Sequence, residues 1–336
     1  MPQATPKLTN LAIQTIYELV AQQFEAVNGI ILDNLHSDVD LVEEISAYLV
    51  SSGGKRVRPL VTLLCAGALG DLENDQQHKL AAAIEFLHTA TLLHDDVVDM
   101  SALRRGKPTA NANWGNASSV LVGDFVYSRA FQMMVSIGNL EVLQVLSDTT
   151  AKIAEGEVKQ LSHLGDANLS EADYFSVIEN KTAVLFAAAC ECSAIIAGSN
   201  SKVRDACAAF GKNLGLAFQL VDDSLDYVGE TDKLGKNIGD DLAEGKVTLP
   251  MIYALQSTAS ADTQAHSLLH STILKKSSDN IDQVVKLIRN TGAVQRSLDC
   301  AQSLIQSGTK QLNLLPNNGY STAMGDLGRF VLARSH

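Results

Sequence analysis

Little in this chain interrupts a helix: proline occurs six times in 336 residues. Long stretches are rich in Ala, Leu, Gln and Lys and lack the β-branched alternation that marks half-buried strands. A sheet-built fold is excluded, and an all-α chain is expected. Basic residues are outnumbered, 26 against 38 acidic, for a formal charge of −12. That argues against non-specific nucleic-acid binding, which needs a basic face. Any anionic ligand must then be held by local basic clusters or bridging metal ions. No apolar run spans a bilayer, because residues 187–197 are short and interrupted by Cys190, Glu191 and Ser193. The first segment, Met1 to Val27, includes Glu18 and Glu25 and has no basic region leading into an apolar run, so no secretory signal is expected. The five cysteines, an odd number, sit mainly among apolar or Ala-rich neighbours, as reduced core thiols of a cytoplasmic protein do. Neither a solenoid repeat nor a Pro/Gly-rich linker divides the chain, and residues 1–336 are expected to form one domain.

Hydrophobic residues at 46% and charged residues at 19% can supply a large core. Helical patterns cover about 8–27, 38–51, 58–69, 76–98, 118–135, 140–161, 171–197, 202–227 and 250–255, with turn residues between them. The Ser-, Thr- and Asp-rich stretch 259–282 is expected to run over the surface.

Two aspartate clusters, Asp95-Asp96-Val97-Val98-Asp99 and Asp222-Asp223-Ser224-Leu225-Asp226, each follow an apolar helical segment. On a helix, Asp95 and Asp99 project from one face, as do Asp222 and Asp226, and would repel. Carboxylates near a helix C-terminus also oppose its dipole, so each cluster carries two unfavourable effects of a few tenths to about 1 kcal/mol. A hard divalent cation reverses that balance. Magnesium uses one or two carboxylates, waters and substrate phosphates. A solvated acidic helix end is the alternative for either cluster alone. The face leading back from Asp95 carries Thr91, His88, Leu87 and Ile84, a largely apolar wall suited to a ligand with a charged head and a hydrocarbon tail. Core packing is the other reading of Leu87 and Ile84.

Gly53-Gly54-Lys55-Arg56-Val57-Arg58-Pro59 places three cations at a helix start, where they can hold a diphosphate without metal. Leu103-Arg104-Arg105-Gly106-Lys107-Pro108 supplies more just after the first aspartates. Together with Gly123-Asp124-Phe125, Lys181-Thr182, Gln219-Leu220-Val221-Asp222-Asp223, Gly235-Lys236-Asn237-Ile238-Gly239-Asp240-Asp241 and Gly245-Lys246, this ordered set over about two hundred residues resembles the trans-isoprenyl diphosphate synthases, more narrowly the bacterial octaprenyl type. The resemblance implies an all-α helical bundle around a central cavity and a prenyltransferase that adds isopentenyl diphosphate to an allylic diphosphate. It further implies Mg2+, up to three ions with substrate bound, a homodimer, farnesyl diphosphate as starter, eight isoprene units and a role in quinone side chains.

By the same likeness, Lys55, Arg58, His88 and Arg105 bind isopentenyl diphosphate. Asp95, Asp99 and Asp222 hold the metal, and Arg104, Lys181, Thr182, Gln219, Lys236 and Lys246 contact the allylic diphosphate. Ionisation is expected to depend on Asp95, Asp99, Arg104, Lys181, Asp222 and Lys236. Ser224 departs from the family's usual aliphatic residue, but it lies between the expected ligands. Ala90 and Thr91 stand where short-chain members carry bulky aromatic residues, which implies a longer product. Leu87, Phe131 and Met134 are further wall candidates, as are Phe86 and Met133, with ordinary core packing as the alternative. A class I terpene cyclase would need no isopentenyl site, so Lys55 and Arg58 favour the synthase. A metal-dependent phosphohydrolase lacks His ligands at useful spacing around His94-Asp95, and a noncatalytic partner subunit need not keep both aspartate clusters with their cations.

Overall fold

The computed structural model describes residues 13–51, 54–104, 106–228, 239–275 and 281–334, and these are helical almost throughout. After a short helical stretch over residues 13–18, the helices are α1 (Ala21–Leu35), α2 (Asp40–Ser51), α3 (Val57–Ala68), α4 (Asp75–Val98), α5 (Ala110–Ile137), α6 (Leu140–Ser162), α7 (Glu171–Ile178), α8 (Val184–Ile196) and α9 (Ser201–Val228). A short α10 (Asp240–Ala243) leads to α11 (Leu249–Thr258), α12 (Thr263–Lys275), α13 (Ile281–Asn290), α14 (Ala293–Gln311) and α15 (Gly319–Ala333). Among the described residues the only sheet is a two-residue hairpin, β1 (Leu103–Arg104) and β2 (Lys107–Pro108), with Arg104 paired to Lys107.

Local chemistry sets the helix ends. Asn74, Thr109, Asn139 and Ser170 each accept a backbone N–H at the start of α4, α5, α6 and α7, and Asn318 forms a capping box on α15. Such caps are worth about 1 kcal/mol each. Helix α5 begins earlier than its hydrophobic pattern predicts, because Gly115 (φ 81°) kinks the chain without ending the helix. The predicted helix over 171–197 is interrupted by a π-helical turn, Glu179–Ala183. The stretch expected on the surface forms α12, which buries Ala265, Leu269, Thr272 and Ile273.

Inside the bundle, α4 lies along α5 and touches α3 and α8, while α9 lies between α8 and α14. Pro59 to Ala68 of α3 are all buried, as are most residues of α8. Cys65, Cys190, Cys192 and Cys207 are buried free thiols. No described helix is long and apolar enough to cross a membrane.

Candidate active site

A cavity of about 930 Å³ opens where the C-terminal halves of α4 and α9 meet α3, α6, α7 and the hairpin. Asp95, Asp96 and Asp99 line it from α4 and its end, and Asp222, Asp223 and Asp226 line it from α9. Both acidic clusters are thus brought to one chamber by helices that the chain connects through more than a hundred residues. Burial raises the Asp95 carboxyl; Lys181 opposes this and the Asp99 charge adds to it.

Cations reach in from separate elements. Lys181 Nζ lies 2.7 Å from Glu157 of α6 and 3.7 Å from Asp95. Lys246 Nζ lies 2.8 Å from Asp99 and 2.7 Å from Glu244. Desolvation works against the Lys246 charge, but Asp241, Asp99 and Glu244 outweigh it and raise its pKa. Arg104 donates to Asp96 Oδ1 from Nε at 2.9 Å and from Nη2 at 2.7 Å. The middle aspartate of the first cluster therefore turns inward to orient an arginine.

On the opposite side, Lys55 lies 5.3 Å from the Phe330 ring centroid, and Arg58 stacks 4.6 Å from that of Phe186. Burial lowers Arg58 to about 10, against the pull of Glu85. Arg56, with φ 41°, starts α3 from a left-handed conformation and donates to the Asn28 side chain, while the backbone carbonyl of Lys55 accepts from Tyr17. Lys55, Arg58, His88 and Glu85 all face the cavity.

The π-helical turn presents Lys181 and Thr182. A wider turn of this kind re-aims side chains and often marks a functional site. It is packed from behind by Gly156, where an added Cβ would stand 2.8 Å from both the Asn180 Cβ and the Lys181 backbone nitrogen. Thr182 donates to Gln219 Oε1 at 2.8 Å, and Gln219 Nε2 donates to Asp223 at 2.7 Å. Burial and the Asp241 carboxylate push Asp223 up to about 7.

Among the described residues, no three His, Cys, Asp or Glu side chains converge into a metal cage. The all-oxygen donors Asp95, Asp99 and Asp222 instead suit a hard cation that takes its remaining ligands from water and phosphate. The Asp99 charge adds to the burial that raises the Asp95 carboxyl, and a bound cation would relieve that repulsion.

Most of the residues expected at the site share this chamber: Lys55, Arg58, His88, Asp95, Asp99, Arg104, Lys181, Thr182, Gln219, Asp222 and Lys246 all line it. Arg105 and Lys236 lie outside the described residues. The expected chain-length residues divide. Thr91 borders the cavity, whereas Ala90, Leu87 and Met134 are buried in the core and Phe131 packs on Tyr127, none of them on its wall. Phe86, also expected on the wall, does line the cavity, with Ile31, Leu35, Leu49 and Val126 as further apolar residues, whereas Met133 is buried in the core where α4 packs on α5. Asp226 is buried while the Asp222 side chain is 50% exposed, so this pair is not symmetric as its spacing suggested. Buried Ser224 donates back to Leu220 at 2.7 Å.

Glu157, Tyr174 and Arg334 complete the lining and were not singled out in the sequence. Glu157 and Tyr174 lie in ordinary amphipathic helices. Arg334 follows the last helix, stacks 4.8 Å from the Phe218 ring centroid and lies 3.4 Å from Asp222. Asp223, part of the second acidic cluster but not expected as a ligand, follows Asp222 by one residue and so points away from it.

A family model described as polyprenyl synthetase matches residues 39–289. Octaprenyl diphosphate synthase of Escherichia coli (strain K12) is 44% identical over 323 residues, 96% of this chain and 99% of the relative. The all-trans-nonaprenyl-diphosphate synthase (geranyl-diphosphate specific) of Rhodobacter capsulatus is 43% identical over 321 residues, 96% of this chain and 98% of the relative. The crystal structure of polyprenyl synthase from Caulobacter crescentus CB15, complexed with calcium and isoprenyl diphosphate, superposes with a TM-score of 0.91 at 42% identity, covering 96% of this chain and 98% of that one.

Proposed function

The chain belongs to the polyprenyl synthetase family, and from that premise we propose that it extends farnesyl diphosphate with isopentenyl diphosphate to octaprenyl diphosphate. It is a polyprenyl diphosphate synthase, a prenyltransferase. The observation that carries the site reading is the pair of aspartate clusters lining one cavity with two separate sets of cations.

In this reading Asp95, Asp99 and Asp222 hold Mg2+, which when bound neutralises charge on the departing diphosphate. Lys181, Arg104, Lys246 and Gln219 grip the allylic diphosphate, with Thr182 beside them and Lys236 as a further contact. Asp95 and Asp99, assigned to the metal, pair with Lys181 and Lys246, which Glu157 and Glu244 also hold. A cation on those carboxylates would leave Lys181 with Glu157 and Lys246 with Glu244, and each ammonium would keep N–H donors for phosphate. Lys55, Arg58, His88 and Arg105 hold isopentenyl diphosphate where no carboxylate cluster promotes loss of its leaving group. The allylic C–O bond breaks, the isopentenyl double bond forms the new C–C bond, and the proton released restores a double bond and leaves with the diphosphate. No protein nucleophile is needed.

Thr91 at the head of the apolar wall, with Ala90 behind it, is assigned to chain length. A homodimer, a cytoplasmic location, one synthase domain over residues 1–336 and supply of quinone side chains belong to the same reading. Support for the homodimer comes from the exposed apolar residues Leu121 and Val135 of α5 and Leu140, Val158 and Leu161 of α6. Incubation with farnesyl diphosphate, isopentenyl diphosphate and Mg2+, followed by product sizing, tests the function. Octaprenyl product is expected. A nonaprenyl product formed preferentially from geranyl diphosphate would move the specificity toward the Rhodobacter relative, and diphosphate release without elongation would overturn the synthase reading.

A further inference from the structure

Behind the second aspartate cluster, one line of hydrogen bonds crosses from α7 through α9 to the π-helical turn. Tyr174 donates from its hydroxyl to Asp223 Oδ2 at 2.5 Å. Gln219 Nε2 donates to Asp223 Oδ1 at 2.7 Å, and Thr182 Oγ1 donates to Gln219 Oε1 at 2.8 Å. Tyr174 and Asp223 are each 4% exposed and Thr182 is 5% exposed, so water does not replace these bonds easily.

The directions along this line are coupled. Gln219 donates from its NH2 to Asp223 and accepts at its carbonyl from Thr182, so its amide is oriented at both ends. Thr182 then spends its only hydroxyl proton on Gln219. What remains free to donate is the second N–H of Gln219, which lines the cavity beside Lys181. Asp223 sets this arrangement, and Tyr174 is the group from another helix that pins Asp223. Without the tyrosine hydroxyl, the carboxylate loses its cross-helix anchor, and the Gln219 amide can rotate.

We propose that Tyr174 is a positioning residue of the allylic diphosphate subsite, acting through Asp223 to fix the Gln219 amide and the Thr182 hydroxyl. The inference rests on the assignment of that subsite above. Its role is distinct from core packing, because its oxygen, and not its ring, carries the effect.

The test is Tyr174→Phe, which keeps the ring and removes the oxygen. Steady-state kinetics should show the KM for farnesyl diphosphate rising about tenfold, the size of one lost hydrogen bond to a charged group. The KM for isopentenyl diphosphate should stay within twofold. Affinity for the unreactive analogue farnesyl thiolodiphosphate, measured calorimetrically with Mg2+, should fall by the same factor without turnover. In a Gln219→Ala background, Tyr174→Phe should add less than twofold, since the two act on one contact. Asp223→Asn provides the same selective loss by a second route if Tyr174→Phe does not fold. Equal KM increases for both substrates, unchanged analogue affinity, or full additivity with Gln219→Ala would overturn the positioning role. Wild-type protein that binds the analogue and elongates leaves the subsite assignment standing in those cases; wild type that does neither removes both.

Discussion

Asp223→Asn should stabilise the metal-free protein at pH 8 and destabilise it at pH 4. Burial, with the Asp241 and Asp222 carboxylates, holds Asp223 at about 7, although hydrogen bonds from Tyr174 and Gln219 favour its ionised form. In the unfolded chain the group titrates at its ordinary 3.8. Between those values the folded protein binds more protons than the unfolded one. The contribution of this group is therefore fully present below 3.8 and is lost as pH rises through about 7. At about 1.36 kcal/mol per pH unit, the ionised carboxylate costs the fold about 4 kcal/mol at pH 8. Asparagine carries no charge, but it replaces one acceptor oxygen by a donor, so it loses the hydrogen bond from Tyr174 or from Gln219, at about 1 to 3 kcal/mol. The balance is a gain of about 1 to 3 kcal/mol at pH 8 and a loss of similar size at pH 4. Urea unfolding of both proteins in EDTA across that range measures the difference. A difference that keeps one sign throughout would refute the buried, charge-penalised Asp223. The same substitution is expected to weaken allylic binding, so stability and binding should move in opposite directions at pH 8.

Thr91→Phe should shorten the product, because a ring one helical turn from Asp95 occupies about 5.4 Å of the wall, comparable to one isoprene unit; unchanged chain length by mass spectrometry would remove Thr91 from the tunnel. Asp95→Asn should lower kcat by about a thousandfold, corresponding to several kcal/mol of charge stabilisation, and raise the Mg2+ concentration at half-maximal rate. Full activity at ordinary Mg2+ would exclude Asp95 as a ligand. Gly156→Ala should destabilise the fold by about 1 to 3 kcal/mol, because its Cβ meets the Lys181 backbone nitrogen at 2.8 Å. Thermal unfolding measures this loss, and a parallel fall in kcat is expected as Lys181 and Thr182 shift.

The long helices were legible in advance because their patterns and caps are local: the predicted spans 76–98 and 140–161 correspond to α4 at Asp75–Val98 and α6 at Leu140–Ser162. The π-helical turn was not legible, because nothing in the composition of Glu179–Ala183 marks it, and its packing against Gly156 comes from a neighbouring helix. Thr91 was placed on the cavity by its phase relative to Asp95, but the same phase argument could not say that Leu87 and Ala90 meet α5 instead of open space.

Composition and periodicity determined an all-helical chain, and the ordered acidic and basic motifs carried its likeness to the polyprenyl synthetase family. Those are properties of segments, and segments carry them wherever they fold. Only the tertiary structure decided that Asp96 turns to Arg104, that Asp223 turns to Tyr174 and Gln219, and that Glu157 stands beside Lys181. Each of those choices depends on which side chain is left facing its neighbour once the helices have packed, and a desolvated carboxylate must find a donor across that contact.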